Sequence, residues 1–92
     1  MTERIAVLVY GVDLPPTGVK AYAYFVGYRL VVEGMAIDIH IEQMTISVGG
    51  FEHDELFVNW QDAQQQQWAI KPIGQLEIQR LVRTAPLSLQ PL

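Results

Sequence analysis

The chain of 92 residues contains no cysteine, which excludes disulfide bonds, thiolate nucleophiles and zinc sites with sulfur ligands. The glycine-rich motifs that cradle phosphates are also missing, so no nucleotide cofactor is expected. The serines, Ser47 and Ser88, do not lie in the Gly-x-Ser-x-Gly elbow of a hydrolase. These absences favour a protein that is not an enzyme and that carries no cofactor.

Charged residues are scarce, at 17% of the chain against the ~25% usual in globular proteins. The basic residues are spread along the sequence, and the net charge is −4. Binding to nucleic acid or to an anionic membrane requires a basic cluster, so neither partner is expected. Few charges together with 50% apolar residues indicate a surface that is buried against a second copy or another protein.

Long apolar runs are missing too. A membrane-spanning helix takes about 20 apolar residues, and a secretory signal has an apolar region of ~7–15. The N-terminal region offers only five consecutive apolar side chains, Ile5 to Val9. We therefore expect a soluble cytoplasmic protein, and the length predicts a single domain over 1–92.

Apolar side chains recur with a period of two, which is typical of β-strands. Strand-like runs separated by glycine- or proline-containing turns cover 4–10, 19–34, 35–41, 44–48, 55–60 and 67–71. The even positions of 19–34 hold its large side chains: Tyr22, Tyr24, Val26, Tyr28, Leu30 and Val32. This segment is either one long strand with a kink at Gly27 or two strands.

The apolar positions change parity between two neighbouring runs. They are odd over 37–41 and even over 44–48. A regular strand cannot change faces, so a bulge or a tight turn is predicted at Glu42–Gln43. A hairpin connection is predicted at 61–67.

Segment 73–86 fits both a strand and a helix, and its composition favours the helix. The sequence thus predicts a mainly β (α+β) fold, a small antiparallel barrel or sandwich of six or seven strands with one C-terminal helix. This element order is similar to that of the pleckstrin-homology-like superfold, which implies a bent sheet with the helix at one end. The apolar tail 87–92 is expected to dock on this domain or on a neighbour.

The candidates for chemistry lie in the stretch DIHIEQ, where Asp38, His40 and Glu42 alternate with isoleucines. Alternation of this kind is typical of the solvated face of a strand, and we interpret the three residues in this way. The alternative is a metal site formed by Asp38 and His40 with His53 or Asp54 as the third ligand. The acidic loop FEHDE, residues 51–55, lacks the ligand spacing of an EF-hand.

Five aromatic residues are the other candidates: Tyr22, Tyr24, Tyr28, Trp60 and Trp68. We expect most of them in the core and one or two at a ligand pocket or an interface. The predicted function is a non-catalytic interaction module that pairs with itself or another protein through an apolar face or a strand edge. The alternative is a small barrel that binds an apolar small molecule or a metal ion.

Overall fold

The structure, a computed structural model, describes residues 3–52 and 54–86. Its strands are β1 (Ile5–Tyr10), β2 (Val19–Val26), β3 (Arg29–Val32), β4 (Ile37–His40), β5 (Met44–Gly49), β6 (Glu55–Gln61) and β7 (Gln67–Pro72). One helix, α1 (Gln75–Thr84), follows them. The expected mainly β fold with a C-terminal helix is confirmed, including the helical state of the ambiguous segment.

All seven strands belong to one antiparallel sheet with the order β4-β3-β2-β1-β7-β6-β5. β4 and β5 are therefore the two edges of the sheet, although a single 3₁₀ turn, Ile41–Gln43, joins them in sequence. So short a connection can pass from one edge to the other only if the sheet curls. The result is a half-barrel that remains open between its edges.

The core fills the concave side of the half-barrel. β1 lies at the centre of the sheet, and its odd residues Ile5, Val7 and Val9 are fully buried. Helix α1 packs against β1, β2 and β7, and its Leu81 is also fully buried. The alternation of β1 thus produces the same inward face that the helix covers.

Residues 19–34 form two strands, β2 and β3, joined by the two-residue loop of Gly27 and Tyr28. Gly27 has a φ of 57°, as the first loop position of a type II′ hairpin requires. Because this loop pairs odd positions of β2 with even positions of β3, the inward parity reverses across it. The core side chains of β2 are Ala23 and Phe25, so its even-numbered residues point away from the core.

The expectation that most of the five aromatic residues lie in the core is wrong. Trp60 is 5% exposed, and Trp68 packs against the core while half-buried. Tyr22 and Tyr28 are 38% and 62% exposed, and Tyr24 is half-buried outside the core cluster. The reversal of parity at the β2–β3 loop turns Tyr22 and Tyr24, at even positions of β2, to the convex face, and Tyr28 lies in the loop itself.

The predicted break at Glu42–Gln43 is present as the 3₁₀ turn. His40 caps this turn, since its Nδ1 atom accepts the Glu42 N–H at 3.2 Å. The Gln43 Oε1 atom accepts the His40 N–H in return at 3.1 Å. This reciprocal pair is a capping box, which satisfies two backbone donors at the break.

Over the part of the chain that the structure describes, no helix is long and apolar enough to cross a membrane. The tail 87–92, for which docking was expected, lies outside the described residues.

Candidate functional site

Asp38, His40 and Glu42 do not converge on a common point. The Asp38 Oδ1 atom accepts a hydrogen bond from the Arg29 Nε atom at 2.7 Å, and both side chains are about half exposed. His40 is engaged in the capping box, and Glu42 is exposed. The three side chains have structural partners or face solvent.

The metal alternative finds no support among the described residues, which include no group of three or more histidine, aspartate or glutamate side chains placed to hold an ion. Of its two proposed third ligands, His53 lies outside the described residues, and Asp54 belongs to no such group. The pairing of Asp38 with Arg29 also makes this carboxylate a poor ligand, because a cation would have to displace the guanidinium.

An open cleft lies between β4 and the β6–β7 hairpin, where the half-barrel fails to close. Its volume is about 400 Å³. The larger apolar side chains of its wall are Met35, Ile37, Ile39, Trp60 and Trp68. Gln43, Gln61 and Asp62 add polar groups to its lining. The cleft is open to solvent, and its lining is about equally polar and apolar.

Trp60 and Trp68 form the aromatic part of the cleft wall. They are opposite each other in the β6–β7 ladder, and their rings stack with centroids 6.5 Å apart. Trp68 also donates its Nε1–H to the Asp62 Oδ2 atom at 2.9 Å, while the Asp62 Oδ1 atom accepts backbone N–H groups of Gln64 and Gln66. These hydrogen bonds stabilise the charged carboxylate and so lower the pKa of Asp62 below its usual value, and the bond from Trp68 has the largest effect.

The two edges of the sheet differ in how their backbone groups are used. In β4, the Ile41 N–H bonds to the Tyr28 carbonyl next to β3. Because the direction of the backbone groups alternates along the strand, those of Asp38 and His40 point away from β3. The Arg29 side chain donates to the Asp38 carbonyl at 3.2 Å, and the Gln43 Oε1 atom accepts the His40 N–H. Side chains therefore cover part of this edge, which is a common protection against strand pairing.

The outward positions of β5 follow from the β6–β7 hairpin. The Asp62 N–H bonds to the Gln66 carbonyl at 3.0 Å. The backbone groups of even residues in β6 therefore point towards β7, and those of odd residues point towards β5. Odd positions of β5 therefore bond to β6, and Ile46 and Val48 direct their backbone groups outward. No side chain of the described residues covers the backbone of Ile46 or Val48 on this side.

The chemistry of the β5 edge lacks the protection found at β4. Residues 43–51 carry no charge and no proline. Val48 is 54% exposed, and Phe51 in the following loop is fully exposed. Natural edge strands usually carry lysine, proline or a bulge against pairing with other chains. The uncharged run was visible in the sequence, but its position at an edge depends on the sheet order.

Comparison of the chain with protein-family models, with curated protein sequences and with solved structures found no match.

Proposed function

We propose that the chain is a non-catalytic interaction module that binds an extended protein segment along the outer edge of β5. The observation that carries the proposal is the free backbone of Ile46 and Val48 within an uncharged strand. An added strand bonds to such an edge through its main chain and places alternate side chains on the two faces of the sheet. The covered β4 edge supports the choice of β5.

The experiment adds a peptide that can pair with the β5 edge and follows the backbone amides of the protein. A seven-residue peptide with the sequence of residues 44–50, blocked at both ends, is titrated into dilute isotope-labelled protein. We expect the amides of Ile46 and Val48 to shift and to become protected from hydrogen exchange, because each gains a carbonyl partner. Amides of β4 remain unchanged.

A matched pair of variants provides the control. Val48→Lys and Val26→Lys make the same change at positions that are 54% and 53% exposed, but Val26 lies at the end of β2, far from β5 in the sheet order. Val48→Lys should abolish the protection, and Val26→Lys should leave it intact. Amides of Ile46 and Val48 that exchange as fast as loop amides at all peptide concentrations contradict the proposal.

The cleft supports a second candidate function, the binding of a small apolar molecule. The observation that supports it is the stacked tryptophan pair in a cleft of about 400 Å³. A ligand there changes the environment of Trp60 and Trp68 without protecting Ile46 or Val48. Tryptophan fluorescence, recorded during titration with a hydrophobic dye, separates the two functions. Unchanged fluorescence up to the solubility limit of the dye counts against this candidate.

A further inference from the structure

We infer that the strand bound by β5 is β5 of a second copy of this chain, in an antiparallel pair with Ser47 facing Ser47 across a two-fold axis. The inference rests on the proposed function and specifies its partner. Two-fold dimers with identical patches are the commonest assembly of soluble proteins. A strand without charges can pair with its own copy without placing like charges opposite each other inside the strand.

Hydrogen-bond geometry selects the register. The backbone N–H and C=O groups that point outward from β5 belong to its even-numbered residues. Even-numbered residues of one copy must therefore pair with even-numbered residues of the other. The Met44 N–H is already bonded to the Ile41 carbonyl at the end of the 3₁₀ turn. A register that pairs Met44 with Val48 would place this occupied donor in two of its three pairs. A register centred on Val48 would pair Ile46 with Gly50, beyond the end of β5. Centring the pair on Ser47 places Ile46 opposite Val48 twice, and the occupied Met44 N–H then lies at the end of the pair, outside these two central pairs.

The side chains match in this register on both faces of the strand. On the core side, the branched side chains of Ile46 and Val48 meet across the axis, a favourable cross-strand pair. On the other side, the Ser47 hydroxyl accepts from the Asn59 Nδ2 atom at 2.9 Å and keeps its own proton, so one Ser47 of the pair can donate to the other. The charges that approach each other, Glu42 and Glu52, lie outside the strand at the two ends.

The fully exposed Phe51 lies two residues beyond the end of β5. A second copy paired along β5 can cover part of this ring, which adds apolar area to a narrow strand–strand contact.

The first test uses the absence of cysteine in the chain. Ser47→Cys places two sulfurs on either side of the axis. The Cα atoms of a non-hydrogen-bonded antiparallel pair are ~4.5 Å apart, a distance that a disulfide can span. We expect rapid oxidation to a covalent dimer. Thr45→Cys serves as the control, since the two copies of Thr45 lie four positions apart along the pair, ~13 Å. Equal or faster cross-linking of Thr45→Cys overturns the register.

The second test avoids any change at Ser47. Light scattering over a concentration series should give the mass of a dimer for the wild type and for Val26→Lys. Val48→Lys should weaken the association at least about tenfold, because it places a lysine beside the apolar Ile46 of the other copy. A wild type that remains monomeric at every concentration overturns the inference. If the peptide still protects Ile46 and Val48, the proposed function survives that result; if it does not, both fail.

Discussion

The Glu77 carboxylate of helix α1 accepts the backbone N–H of Ala6 in β1, with an Oε2–N distance of 2.7 Å. The contact lies where the β1–β7 ladder ends. Ile73 still donates to the Ala6 carbonyl, but β7 turns away before it can accept the Ala6 N–H. The helix therefore completes the hydrogen bonding of the central strand, and Glu77 is a structural residue with 15% of its side chain exposed.

Replacing Glu77 tests this connection between helix and sheet. Glu77→Ala leaves the Ala6 N–H without its acceptor in a partly buried site, and such a loss costs about 1–3 kcal/mol of the free energy of unfolding. Glu77→Gln keeps an acceptor oxygen and should cost less. Urea unfolding measures both values, and hydrogen exchange at the Ala6 amide should accelerate in Glu77→Ala. Equal stability of the two variants would contradict the role of this hydrogen bond.

The stacking of Trp68 on the backbone of Gly11 predicts a strong effect of a single methyl group. A Cβ atom at Gly11 would lie 2.0 Å from the Trp68 Cε3 atom. Gly11→Ala must displace the indole ring and should destabilise the fold by about 1–3 kcal/mol. At Gly49 the corresponding contact, to Phe57, is 3.2 Å, so Gly49→Ala should cost less. Thermal unfolding ranks the two variants, and a larger loss at Gly49 would contradict the packing argument.

The lowered pKa of Asp62 predicts a dependence of stability on pH. Because the folded state favours the charged carboxylate, its contribution is present above the unfolded value of 3.8 and is lost as the pH falls through the lower folded value. Asp62→Asn removes this contribution. The wild type should therefore exceed Asp62→Asn in stability at neutral pH, and the difference should shrink in acid. Urea unfolding over a pH series measures it, and a constant difference would contradict the assignment.

Local patterns in the sequence were sufficient to predict much of the fold. The parity change around Glu42 located the 3₁₀ turn, and the alternation of β6 gave its inward face of Leu56, Val58 and Trp60. The parity of β2 was not predictable in the same way. Its inward face depends on the two-residue loop at Gly27, which the sequence allowed equally as a kink.

The candidate site was less accessible to sequence reasoning than the fold. The edge character of β5 depends on which strands pair across long separations, and periodicity carries no information on that order. The cleft likewise arises from the failure of the curled sheet to close between β4 and the β6–β7 hairpin. The sequence contained the uncharged run 43–51 and the tryptophan pair, but only the sheet order gives them positions.

His40 provides a further prediction that separates a structural role from a metal-binding role. Its Nδ1 atom caps the 3₁₀ turn, so His40→Ala should destabilise the fold by about 0.5–2 kcal/mol, the usual cost of losing an N-cap. His40→Asn retains a capping oxygen and should recover most of this loss. If His40 were a zinc ligand instead, zinc would stabilise the wild type by mass action, and asparagine would not substitute for the imidazole. Urea unfolding with and without zinc measures both effects. We expect no zinc dependence, and rescue by asparagine identifies the cap.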